Sequence, residues 1–85
     1  MITATKDRVS RVLKDENLSI EAKAIYYYMH VMNDGADEVR VDGDTLCNDL
    51  GISKTRFYRH RAYLISKGYI EILDNKFTTP TYILK

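Results

Sequence analysis

The 85-residue sequence predicts one small domain of the α+β class, mostly α, with three main helices followed by a carboxyl-terminal β-hairpin. Two observations support this prediction. Apolar residues recur at helical spacing in three segments between residues 18 and 67, and they alternate with polar residues in two short runs after residue 68. Hydrophobic residues make up 45% of the chain and charged residues 29%, which is the usual balance of a globular domain with one core.

The first main helix is predicted from about residue 20 to residue 33. Ser19 is placed to cap its start, and Glu21 in the first turn suits the positive end of the helix dipole. The predicted core face consists of Ala22, Ile25, Tyr26, Met29 and Met32 or Asn33. A second apolar strip, which predicts burial on more than one side, consists of Ala24, Tyr28 and Val31. Gly35 is expected to end the helix.

The segments on either side of this helix are less regular. Val9, Val12 and Leu13 have helical spacing, so residues 1–17 are predicted to be an amino-terminal arm or a short helix. The sequence DEVRV at 37–41 alternates and is β-branched, which indicates a short strand.

Two further helices joined by the sequence LGIS predict a helix-turn-helix over residues 43–67. Asp42 and Ser53 are placed to cap the two helices, and Gly51 allows the positive φ that the turn needs. On the inner face, Phe57 and Leu64 are expected to pack toward the first of these helices, where Cys47 is a small core residue.

The last segment, residues 69–85, predicts a β-hairpin. YIEIL and TYILK alternate as strands do, and DNKFTTP between them has the composition of a turn. Charge is also unevenly distributed, because between Leu50 and Ile70 there is no acidic residue but five basic ones: Lys54, Arg56, Arg59, Arg61 and Lys67. The formal net charge of +1 hides a balance of −4 over the remaining residues, which favours a nucleic-acid partner for the basic helix.

The region from Leu18 to Lys85 resembles winged helix-turn-helix DNA-binding domains, and most closely the amino-terminal domains of phage and plasmid replication initiation proteins. The matching residues are Leu18, Ser19, Ala22, Lys23, Gly51, Ser53, Leu64, Gly68, Tyr69 and Ile70. One departure is the pair His60-Arg61, since that family usually has an apolar residue at Arg61 or just before it. We expect the stem of Arg61 to lie along the core and its guanidinium to reach the edge.

The resemblance implies that the helix at about 54–67 enters the major groove and that the wing near residues 74–77 meets the backbone or the minor groove. The predicted DNA-binding residues are Lys54, Thr55, Arg56, Tyr58, Arg59, Arg61, Asn75 and Lys76. Arg59 is suited to guanine, and Thr55 to a thymine methyl group or a phosphate. Phosphate contacts are expected of Lys54, Arg56 and Tyr58.

The expected function is binding of double-stranded DNA, either in replication initiation or in transcriptional regulation, in a phage or another mobile element. A homodimer and a replication or regulatory protein partner both agree with this function. The alternative is a protein–protein interaction or oligomerisation module that uses the tyrosine-rich first helix without reading DNA. Both a complete small regulator and a fragment of a longer replication protein fit the sequence.

Other classes of function lack their sequence signatures. There is no glycine-rich phosphate loop and no nucleophile with an evident base, so we expect no enzymatic activity. His30 and His60 have no ligand cluster around them, and we expect neither a metal nor another cofactor. Cys47 is the single cysteine, which is consistent with a reducing, cytoplasmic location, and no apolar run has the roughly 18 residues of a membrane span.

Overall fold

The computed structural model describes residues 3–34, 36–74 and 79–85, which form four helices and a three-stranded antiparallel sheet. The helices are α1 (Thr3–Leu13), α2 (Ile20–Met32), α3 (Gly43–Leu50) and α4 (Lys54–Ser66). The strands are β1 (Glu38–Arg40), β2 (Ile70–Asp74) and β3 (Thr81–Leu84). This architecture confirms the predicted α+β class and the winged helix-turn-helix fold.

Helix α1 has eleven residues and is longer than a single helical turn. Its Val12 is fully buried in the core, and its arginines reach the end of the last strand. Arg8 Nη1 donates to the Leu84 carbonyl oxygen at 3.3 Å, and Arg11 Nη2 donates to the Lys85 carbonyl oxygen at 2.7 Å. The amino-terminal segment is therefore an integral part of the domain.

Helix α2 begins where the sequence predicted, with the Ser19 Oγ accepting a hydrogen bond from the Ala22 amide at 3.1 Å. Its core face is fully buried at Ala22, Ile25, Tyr26 and Met29. Burial on a second side is partial, because Ala24 and Tyr28 are half-buried and Tyr28 packs against the core, whereas Val31 is 47% exposed. Met32, which was predicted for the core face, is 59% exposed at the end of the helix. Gly35 lies outside the described residues.

The sheet has the strand order β1-β3-β2, so β1 joins the predicted hairpin as a third strand. Val39 and Ile72 both lie opposite Tyr82, one from each side, and Ile70 lies opposite Leu84. The register shifts by a bulge between Ile72 and Asp74. Val39, Ile70, Tyr82 and Leu84 are buried, so one face of the sheet closes the core beneath the helices.

The turn between α3 and α4 depends on Gly51. Its φ of 72° is in the left-handed region, and its amide donates to the Cys47 carbonyl oxygen at 2.8 Å. A Cβ built on Gly51 would meet nothing within 4 Å, so the turn requires glycine for its backbone conformation and not for space. Cys47 itself is buried, and burial raises the pKa of its thiol, which agrees with a packing role.

Candidate nucleic-acid interface

Helix α4 presents one side to the core and the opposite side to solvent. The Ser53 Oγ caps the helix by accepting from the Arg56 amide at 3.2 Å, and Phe57 and Leu64 are buried against the core. Each residue turns a helix by about 100°. The residues on the side opposite Phe57 and Leu64 are therefore separated in sequence by alternately four and three positions. These exposed residues, named here the outer stripe of α4, are Thr55, Arg59, Ala62 and Ser66.

The outer stripe combines small side chains with one arginine. Thr55, Ala62 and Ser66 leave the helix backbone free to approach a partner closely, while Arg59 extends from the middle of the stripe. Among the described residues, no acidic side chain forms an ion pair with Arg59. Ser66 was not among the predicted contacts, although helical spacing places it on the same side of α4 as Thr55.

Two other cations of α4 are paired with acids from elsewhere in the chain. Lys54 Nζ lies 2.5 Å from the Asp44 Oδ1 of α3. Arg56 Nε lies 3.3 Å from the Glu21 Oε2 of α2. The charge segregation seen in the sequence is therefore partly cancelled in space, and the sequence analysis did not foresee these acids.

A third pair joins the end of α4 to the segment before α2. Lys67 Nζ lies 3.1 Å from Asp15 Oδ2, which also accepts a hydrogen bond from the Tyr69 hydroxyl at 2.6 Å. The Tyr69 hydroxyl, the Asn17 amide and the Lys67 ammonium together lower the pKa of Asp15 to about 2. The same hydrogen bonds raise the pKa of Lys67 and of Tyr69, so the Asp15–Lys67 pair is fully charged at neutral pH.

His60, a departure from the resembled family, links α4 to the start of α2. Its Nε2 lies 2.8 Å from Glu21 Oε1, and its Nδ1 lies 3.3 Å from Ser19 Oγ. The side chain is only 14% exposed. The Glu21 carboxylate therefore contacts two residues of α4, one through each oxygen.

Arg61 lies on a different side of α4 from Arg59. Its Nη1 donates to the Tyr82 hydroxyl at 3.1 Å, and its guanidinium carbon lies 4.8 Å from the centroid of the Tyr58 ring. Arg61 therefore spans from α4 to β3 and supports the ring of Tyr58, which is 49% exposed. Its guanidinium is engaged beneath that ring and is not part of the outer stripe.

The structure thus brings Thr55 and Arg59 together on the outer stripe, with Lys54, Arg56 and Tyr58 on the exposed surface beside it. Tyr63, which the sequence analysis did not select, is 41% exposed, and its hydroxyl donates to the Asn17 carbonyl oxygen at 3.3 Å. The predicted wing residues Asn75 and Lys76 lie outside the described residues.

A buried helix-turn-helix core and an exposed stripe on its second helix define a DNA-binding class of domain. The family model described as a helix-turn-helix domain matches residues 16–70, which is more than half of the chain, and the chain belongs to that family. Membership in this family indicates DNA as the partner. A search of curated proteins found no match. No helix in the described part of the chain is long and apolar enough to cross a membrane.

Proposed function

We propose that this domain binds duplex DNA by placing α4 in the major groove with its outer stripe toward the base edges. One observation carries the proposal. Phe57 and Leu64 fix α4 against the core, and the opposite, exposed side of the helix consists of small residues around Arg59. A helix with few bulky side chains on its outward side fits the width of the major groove. The turn between α3 and α4 is the element by which a helix-turn-helix domain places its second helix in the major groove.

Each predicted contact has a defined role in this proposal. Arg59 donates two hydrogen bonds to the O6 and N7 of guanine, and Thr55 contacts a thymine methyl group or a phosphate. Lys54, Arg56 and Tyr58 contact phosphates along the flanks of α4. Arg61 positions the Tyr58 ring from below, and Asn75 and Lys76 of the wing meet the backbone or the minor groove.

The biological setting in this proposal is replication initiation or transcriptional regulation in a phage or another mobile element. Its support is the resemblance of the α2, turn and α4 residues to replication initiation proteins. The two settings can be distinguished by selecting the preferred binding site from random DNA and examining how copies of that site are arranged. Several repeated copies are typical of a replication origin, and two paired copies are typical of an operator.

The test of DNA binding is fluorescence anisotropy with a labelled random-sequence duplex, titrated at several salt concentrations. We expect salt-dependent binding with a Kd of about 1–100 μM at physiological salt, which is usual for non-specific contacts. Failure to bind at low salt would refute the proposal. A matched variant, Lys85→Ala, removes an exposed positive charge at the end of the sheet away from the wing and should bind nearly as well as the parent chain.

A second candidate function, interaction with a protein or with another copy of the chain, is favoured by one feature of α2. Opposite its core face the helix carries an outer apolar stripe, which consists of Ile20, Ala24, Tyr27 and Val31. Ile20 is 84% exposed and Tyr27 is 49% exposed. Light scattering on the isolated chain tests self-association, and a monomeric mass at micromolar concentration would count against a homodimer.

A further inference from the structure

We propose that Glu21 competes with DNA phosphate for Arg56, and that this competition lowers the affinity of the domain for DNA of arbitrary sequence. The inference rests on the proposed function, in which Arg56 contacts a phosphate on the flank of α4. It assigns a role to a carboxylate that comes from α2 and lies against the predicted DNA-facing helix.

A carboxylate oxygen of Glu21 contacts the same guanidinium that is proposed to bind a phosphate oxygen. Glu21 Oε2 lies 3.3 Å from Arg56 Nε, and the Arg56 side chain is 60% exposed. Both anions accept hydrogen bonds from a guanidinium in the same way, so one can replace the other. The contact lies at the surface, where an ion pair contributes little and opens readily.

Glu21 is held independently of Arg56, so Arg56 is the partner that moves. Glu21 Oε1 lies 2.8 Å from His60 Nε2, and His60 is only 14% exposed and also contacts Ser19. Glu21 also lies in the first turn of α2, where the helix dipole favours a negative charge. When DNA binds, Arg56 therefore leaves a carboxylate that remains in place.

This exchange changes the response of binding to salt. A cation that neutralises a phosphate normally releases a counterion from DNA, which contributes about −0.9 to the log–log slope of affinity against salt. If Arg56 leaves Glu21 to reach the phosphate, the freed carboxylate attracts cations from solution, and this uptake offsets part of the release. Removing the charge of Glu21 should restore the missing slope.

The experiment compares the parent chain with Glu21→Gln, using anisotropy with a random-sequence duplex over a range of salt. We expect Glu21→Gln to bind about 1.5- to 5-fold tighter near physiological salt, which corresponds to the usual range for an exposed ion pair. We also expect its salt slope to be steeper, by up to about 0.9. Glu21→Asp, which keeps the charge but shortens the side chain, should show part of the gain in affinity and serves if Glu21→Gln does not fold.

Two controls separate competition from a general change of charge. Glu71→Gln also removes one acid from an exposed ion pair, here with Lys85 at 3.0 Å on the sheet, and should change affinity less. In a background carrying Arg56→Gln, the substitution Glu21→Gln should give no gain beyond that of Glu71→Gln.

The outcomes distinguish this inference from the proposed function. If the parent chain binds and a folded Glu21→Gln variant has the same affinity and slope, the competition is refuted and DNA binding stands. An equal gain in the Arg56→Gln background also refutes it, because the effect then does not pass through Arg56. If neither the parent nor any variant binds DNA at low salt, the proposed function fails and this inference fails with it.

Discussion

Helices α2 and α4 are built alike and differ mainly in what they present to solvent. Each has thirteen residues, begins at a serine cap and buries one side in the shared core. The outer stripe of α4 is small and polar around Arg59, whereas that of α2 is apolar and includes Ile20 and Tyr27. Since both helices bury one side in the core, the partner that each helix can contact depends on its outward stripe.

The cations of α4 differ from one another in whether an acid pairs with them. Helix α4 carries most of its cations on its flanks, where Asp44 and Glu21 pair with two of them. Arg59 is on the stripe itself and forms no ion pair with an acid of the described residues. If α4 reads DNA as proposed, Arg59 should therefore have the largest single effect on binding.

The substitution Arg59→Ala tests that expectation most directly. It should cost about 1–3 kcal/mol on a selected site, or roughly 5- to 150-fold in Kd, because a bidentate contact to guanine is lost. It should also relax the base preference at one position of the site. Anisotropy on the selected and the random duplex measures both effects, with Lys85→Ala as the control for charge. Equal weakening on both duplexes would show that Arg59 contacts phosphate instead of a base.

The placement of α4 relative to α3 can be tested through Gly51. Gly51→Ala forces a residue with a Cβ into a φ of 72°, which should lower the free energy of unfolding by about 1–2 kcal/mol. Nothing lies within 4 Å of the added Cβ, so the cost is conformational. Urea denaturation measures the change, and Gly51→Asn should cost less because asparagine tolerates this region. A loss of stability well above this range would mean that the turn also has a packing requirement.

The attachment of the end of α4 to the segment before α2 should weaken in acid. The pKa of Asp15 is about 2 in the fold, below its ordinary value of 3.8, so its contribution to stability is fully present above pH 4. That contribution is lost as the pH falls from about 4 through 2, because the folded state then takes up a proton more reluctantly than the unfolded chain. Asp15→Asn should therefore be less stable than the parent chain at neutral pH, with the gap narrowing over that window.

Thermal or urea unfolding at a series of pH values measures this gap. Glu16→Gln is a suitable control, since Glu16 is an exposed neighbour of Asp15. A gap between the parent and Asp15→Asn that stays constant from pH 5 to about pH 2 would contradict the role of the Tyr69 and Lys67 contacts.

The elements of the fold were predictable from the sequence because their signals are local. Serine or aspartate caps precede α2, α3 and α4, and glycines with φ of 72° and 81° follow α3 and α4. The inward position of Phe57 and Leu64 follows from helical spacing once the turn is recognised. The outward position of Thr55 and Arg59 then follows from the same spacing, so the centre of the candidate site was also predictable.

The remaining features depend on contacts between segments far apart in sequence. Glu21 contacts Arg56 only because α2 packs against α4. Helical spacing within one segment does not indicate which acidic side chain will reach which basic side chain of another segment. The exposure of Val31 was missed for a related reason. Periodicity shows that two strips of α2 are apolar, but the number of elements available to cover them decides that the second strip is only partly buried.

The smallest expected effect is that of Tyr27→Gln on the outer apolar stripe of α2. Tyr27 is 49% exposed, so replacing it should change the free energy of unfolding by less than about 0.5 kcal/mol. The affinity for DNA per chain should stay unchanged, because Tyr27 lies opposite the core face through which α2 supports α4. If the stripe joins two copies of the chain, the mass measured by light scattering should fall toward that of one copy. A loss of DNA affinity in Tyr27→Gln, with the mass unchanged, would contradict the division of roles between the two helices.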